Sequence, residues 1–124
     1  MQDNTRIMGM EVEASAREFL QGRGLKHRES NYEAKTGEID LIMEDGEFIV
    51  FVEVRFRSNK NYGGALASVS RGKQTKIIRT AKIYLLENEL YDKVFCRFDV
   101  ITGETINNTL VIDWYKSAFT ENFI

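Results

Sequence analysis

Apolar residues return along this chain in two rhythms, one every three or four positions and one every second position. The first appears from Glu11 to Leu20, EVEASAREFL, where Val12, Ala16, Phe19 and Leu20 fall on one side of a helix and Gly22 and Gly24 follow as stop signals. The spacing predicts a helix of two to three turns, with residues 1–10 a flexible segment ahead of it. The same rhythm returns from Arg71 to Leu86. There Ile77, Ile78, Ala81, Tyr84 and Leu85 form one stripe, Lys76, Arg79 and Lys82 lie around the far side, and Lys73 borders the stripe.

The second rhythm begins at Thr36-Gly37. In EIDLIMED, Ile39, Leu41 and Met43 alternate with Glu38, Asp40 and Ile42, as in a strand. Asp45-Gly46 is the strongest hairpin signal in the chain and leads into EFIVFVEVRFR. On that strand Val50, Val52, Val54 and Phe56 share one face, while Ile49, Phe51, Glu53, Arg55 and Arg57 share the other. Both faces begin apolar, as expected of a central strand covered on both sides. Two further strands are expected in VFCRFDVIT and TLVIDWY, separated by the turn-forming GETINN. Counting the polar, β-compatible stretch from Lys26 to Lys35, the order is α-β-β-β-α-β-β. This is an α/β (α+β) pattern, a mixed sheet with a helix on each face. With no proline, repeat, low-complexity tract or interdomain linker, residues 1–124 read as one domain.

Composition narrows the chemistry. A chain of 124 residues, 43% of them hydrophobic, can bury a core without covalent staples. The single Cys96 cannot form an internal disulfide and the single His27 cannot build a Cys/His zinc cluster, which argues for a reducing compartment. Triad catalysis would have to run through His27 alone, and no nucleophile motif accompanies it. No basic segment followed by an apolar core opens the chain and no apolar run reaches membrane length, so a cytoplasmic protein is expected. The formal net charge of -2 gives no global attraction for nucleic acid. Any such site must be local.

The unexpected feature is charge inside the apolar strands. Residues two apart on a strand point to one side, so Glu53 shares a face with Arg55, and Glu38 with Asp40. A tight turn at Asp45-Gly46 lets Asp40 face Glu53 across the ladder, and carboxylates converging in an apolar sheet need a partner. Two partners fit. One is Arg55 or Arg57, in a structural salt-bridge network. The other is a hard divalent cation, since magnesium takes one or two carboxylates plus waters and phosphate oxygens and can activate water against a phosphodiester.

GEIDLI, then FVEVRFR, a Tyr-Gly-Gly loop, a Lys73-containing helix ending in AKIYL, and RFDVI together resemble the bacterial YraN family of small uncharacterised proteins. That family is related to Holliday junction resolvases in the PD-(D/E)xK nuclease superfamily. The resemblance runs in unbroken order from about Glu13 to Phe119 and implies a restriction-endonuclease-like core. Asp40 falls at the first metal-binding Asp of the superfamily, with Ile39 in place of the named proline. Glu53 falls at the second acidic ligand, and Val54 between the motif residues offers its carbonyl. Glu13 matches the first-helix Glu that completes the acidic cluster in junction resolvases, and Lys73 a recurrent basic residue of the second helix. At Arg55 the superfamily usually has Lys. Arginine stays charged and cannot act as a base, but it can stabilise charge developing on a phosphate.

The resemblance therefore implies a Mg- or Mn-dependent nuclease of the junction-resolvase-like type. Asp40 and Glu53 would bind metal, Glu13 and Arg55 would complete the catalytic set, and Arg55, Lys73 and Lys76 would contact nucleic acid, DNA of branched or flapped structure or else RNA. Related resolvases are dimers, which makes a homodimer an expectation. The alternative is a non-catalytic nucleic-acid-binding module that retains the fold, and a third reading is a protein-interaction domain whose charges form only salt bridges. The basic run from Arg71 to Lys82 suits either phosphate contacts or a solvated helix face. Tyr62 is expected to anchor its loop or stack on a base, Trp114 and Phe119 to pack in the core, and Arg97 and Asp99 to form a same-face ion pair that can lie near the acidic cluster.

Overall fold

A computed structural model describes residues 4–57 and 69–120, without the side chains of residues 4–10 and 57. Tyr62, the side chain of Arg57 and the termini lie outside the described residues. The elements run α1 (Asn4–Gly22), β1 (Lys26–Ala34), β2 (Gly37–Asp45), β3 (Phe48–Arg57), α2 (Arg71–Glu87), β4 (Phe95–Ile106) and β5 (Thr109–Phe119). This is the α-β-β-β-α-β-β order read from the sequence. All five strands lie in one sheet in the order β1-β2-β3-β4-β5. Only the β3–β4 pair is parallel, and α2 makes the crossover it requires. No helix among the described residues is long and apolar enough to cross a membrane.

The two faces of the sheet bury separate clusters. Against α1, Ala16 and Leu20 pack on Leu41, Met43, Val50, Val52 and Ile101. Against α2, Ile77, Ile78, Ala81, Tyr84 and Leu85 pack on Ile42, Ile49, Phe51 and Phe98, so the stripe expected of that helix is the one buried. Ser70 caps α2, its hydroxyl accepting the N–H of Lys73. The α1 side fits closely because β4 carries Gly103, where an added Cβ would lie 2.7 Å from Val12 Cγ1.

Several local expectations are corrected. Helix α1 runs Asn4–Gly22, longer at both ends than the Glu11–Leu20 helix expected, because NTRIMGMEVEA contains no proline and carries helix-forming Met and Glu. The β2–β3 turn is Gly46-Glu47, between the paired Asp45 and Phe48, with Gly46 at φ 60° as a primed turn requires. Most of GETINN is strand: Ile106 pairs with Thr109, and only Asn107 and Asn108, at φ 52° and 65°, form the turn. Phe119 stacks on Phe98 in the α2-side cluster, whereas Trp114 meets Phe19 of α1 edge-on at 6.1 Å. A bulge between the Phe98 and Val100 pairs, with Ser117 at φ 50°, interrupts β5 between those two rings.

Candidate metal and phosphate site

The site lies where β2 and β3 separate. Their ladder runs from Asp45↔Phe48 to Leu41↔Val52. Continued one step, Asp40 would pair with Glu53; instead Asp40 Oδ2 accepts the backbone N–H of Val54 at 2.8 Å. The side-chain alternation breaks at the same point. Ile39 and Ile42, three apart, pack in the α2-side cluster, while Leu41 and Met43 pack toward α1. The regular alternation expected from Ile39 to Met43 is thus corrected at Asp40, where a carboxylate replaces a ladder bond. Val54 contributes its N–H to Asp40.

The break brings Asp40 to Glu53, and their carboxyl groups are within hydrogen-bonding reach. Glu53 is only 5% exposed. Burial, and then the negative charge of Asp40, push its carboxyl up to about 7, against the opposing pull of Arg55 and Lys73. Near neutral pH Glu53 therefore keeps its proton in part of the population. Arg55 Nη2 lies 3.0 Å from Glu53 Oε2, and Lys73 Nζ lies 3.8 Å from the same oxygen. Arg55 reaches Glu53 along one strand face, and Lys73 from the first turn of α2. The Nε of Arg55 is buried and has no hydrogen-bond partner among the described residues.

On the α1 side Glu13 is half-buried. Its carboxyl is raised by burial and then by Asp40 and Glu38, while a hydrogen bond from Asn31 lowers it. Glu38, exposed, is raised by burial and then by Asp40 and Glu33, with Lys73 pulling the other way. Glu13 and Asn31 also line a cleft of about 200 Å³ together with Arg17, Ser30 and Leu41. Asn31 was missed by the sequence reading. It sits in the polar edge strand at φ 53°, a left-handed conformation Asn tolerates better than most residues, so a strand-interior Ser-Asn pair is the available signal. Lys76 is exposed on α2, its Cβ 3.7 Å from where a Cβ on Gly37 would stand, and no contact joins it to Glu53.

Asp99 is placed elsewhere. It is fully buried, and its carboxylate accepts Arg97 Nε at 3.1 Å, Trp114 Nε1 at 2.9 Å and the N–H of Ser117 at 2.9 Å. Arg97 also reaches Asp45 at 2.8 Å. The expected Arg97–Asp99 ion pair is present and braces the hairpin end of β2 against β4 and β5.

The donor set can be weighed against a hard cation. Asp40 and Glu53 supply two neighbouring carboxyl groups, and the negative charge that pushes the Glu53 carboxyl up is the kind a cation relieves. Among the described residues no group of three His, Cys, Asp or Glu side chains is arranged to hold a metal. Two carboxylates with remaining positions left to water and phosphate suit magnesium or manganese. Glu13 stands near enough to Asp40 for the two negative charges to interact.

Comparison with known proteins agrees with the resemblance. The model of uncharacterised protein family UPF0102 matches residues 12–102. A UPF0102 protein of Enterobacter sp. strain 638 is 47% identical over 113 residues, 89% of this chain and 82% of that protein. The UPF0102 protein YraN of Escherichia coli strain SMS-3-5 is 45% identical over 121 residues, 95% of this chain and 88% of its own length. YraN of Salmonella newport strain SL254 is 46% identical over 113 residues, covering 89% and 82%.

Proposed function

The chain belongs to the UPF0102 family, and we propose that this member is a metal-dependent nuclease of the junction-resolvase-like type, cutting nucleic-acid phosphodiesters. The observation that carries the reading is the meeting of Asp40 and Glu53 at the β2–β3 separation, with Arg55 and Lys73 on the same Glu53 oxygen. Asp40 and Glu53 would hold magnesium or manganese. A divalent cation bound there supplies a Lewis acid for the phosphoryl oxygen and makes water more acidic.

The chain's own groups do the rest. Val54 N–H fixes the Asp40 carboxylate. Arg55, part-exposed beside Glu53, turns its guanidinium end to a phosphate oxygen and stabilises charge as it builds. Lys73, on the flexible stem of an exposed side chain, can move from Glu53 to the same phosphate. Arg55 does not act as base, since arginine holds its proton at any working pH. Glu13 and Glu38 keep the field at Asp40 negative, which favours a cation there.

Cleavage of a labelled panel of four-way junction, flap, single strand, duplex and RNA, with magnesium and then manganese, tests the proposal. Activity in the wild type that is lost in both Asp40→Ala and Glu53→Ala supports it. A wild type inactive on every substrate favours the second reading, a nucleic-acid-binding module without turnover, for which Arg55 in the usual Lys position is the specific observation. A homodimer is proposed by analogy with two-fold junctions, and sedimentation in solution checks it.

A further inference from the structure

Helix α2 carries Arg71, Lys73, Lys76, Arg79 and Lys82 and no acid before Glu87. On its own this is a solvated helix face. The fold adds a second element to it. Thr36 Oγ1 and Thr80 Oγ1 lie 2.6 Å apart, and Gly37 abuts Lys76, so the β1–β2 turn is held against the middle of α2. Lys35 is next to Thr36 in that turn, so the turn brings it to the side of α2 that carries Lys76, and Lys35, Lys76 and Arg79 are all exposed. From Lys73 the row Lys73, Lys76, Arg79 advances three residues at a time, about 9 Å in all, the axial length of two to three phosphates of one strand.

The other approaches to the carboxylates are acidic. Glu13 borders them on α1, and Glu38, paired with Glu33, borders them along the β1–β2 ladder. Among the described residues, α2 carries the basic row that leads a polyanion to them. No aromatic residue lies between Arg71 and Lys82, so bases would have nothing to stack on.

Resting on the nuclease reading of the adjacent site, we infer that Lys35, Lys76 and Arg79 form a sequence-independent phosphate-binding surface that seats the nucleic-acid backbone flanking the phosphodiester at Asp40 and Glu53. Only Lys73 belongs to both, contacting Glu53 at one end of the row.

The test is anisotropy of a short labelled duplex, and of one of its strands alone, with calcium replacing magnesium and across a salt series. Wild type is compared with Lys76→Glu/Arg79→Glu, with Lys35→Glu, and with Lys93→Glu, an exposed lysine after α2, as control. The double variant is expected to bind at least about tenfold more weakly at low salt, with a log–log salt slope smaller by about 2. Lys35→Glu is expected to lower the slope by about 1 and Lys93→Glu to leave it unchanged, for unrelated sequences alike. A double variant that binds as wild type does overturns the surface. A wild type that binds neither probe overturns both the surface and the nuclease reading. Manganese titration of the double variant separates the two, since an unchanged metal site with unchanged duplex binding removes the surface alone.

Discussion

Asp40 Oδ2 takes the N–H of Val54 one step beyond the last β2–β3 ladder pair, so a side chain stands where a backbone carbonyl would otherwise be. That substitution lets the sheet open without leaving a buried donor unpaired, and it aims one oxygen of Asp40 at the backbone while the carboxyl still reaches Glu53.

The pair has a consequence for stability. The Glu53 carboxyl titrates near 7 in the folded chain and near 4.5 when unfolded, so the folded state binds more protons between those values. Its contribution is fully present below 4.5 and is lost as pH rises through 7. Metal-free protein is expected to lose up to about 3 kcal/mol across that window from this group. Urea unfolding on either side of the window checks this, and Glu53→Gln is expected to flatten the profile.

Arg55 is predicted to serve phosphate more than fold. Arg55→Ala removes one cation competing for Glu53, so manganese binding is expected to tighten, while duplex binding weakens about tenfold or more through loss of a charged hydrogen bond. Calorimetry and anisotropy on one preparation separate the two effects. Weakening of both would mark Arg55 as structural.

Asp99 is predicted to matter for stability alone. Asp99→Ala leaves Arg97 buried beside an empty acceptor and frees Trp114 Nε1, at an expected cost of about 3–5 kcal/mol. Denaturant unfolding followed by Trp114 fluorescence measures it, and manganese affinity of the folded fraction is expected to stay at the wild-type value.

Gly103→Ala places a methyl 2.7 Å from Val12 Cγ1 and 3.3 Å from Leu110 Cδ1. Overpacking there is expected to cost about 1–3 kcal/mol, and Val12→Ala in the same chain to recover part of it. A double-mutant cycle by denaturant unfolding reads the coupling.

Much of this was legible in the sequence where the signal is local. The Asp-Gly signal marks the hairpin, but the register is set by the turn at Gly46-Glu47, in which positions summing to 93 face each other, and Asp40 and Glu53 satisfy that sum. The buried stripe of α2 follows from spacing alone. What the sequence hides is what distant segments do to one another. Lys73 reaches Glu53 only because the crossover carries α2 back over the sheet, and the turn that holds Lys35 meets α2 through Thr36 and Thr80. The polar β1 is a strand because it is an edge, where charge is tolerated and protective. The break at Asp40 could not be read from alternation, since Ile39, Leu41 and Met43 fit an unbroken strand equally well. Trp114 and Phe119 separate because Ser117 adopts a positive φ that nothing in KSAF announces.

The most direct measurement is calorimetric titration of manganese into metal-free wild type, Asp40→Asn and Glu53→Gln. Asp40→Asn keeps an oxygen acceptor for Val54 N–H, so it removes charge while preserving the strand geometry. Saturable binding by the wild type that vanishes in both variants is the predicted result. Binding by Asp40→Asn as tight as by the wild type, or a wild type that takes up no manganese, would contradict the assignment of Asp40 and Glu53 as one divalent-cation site.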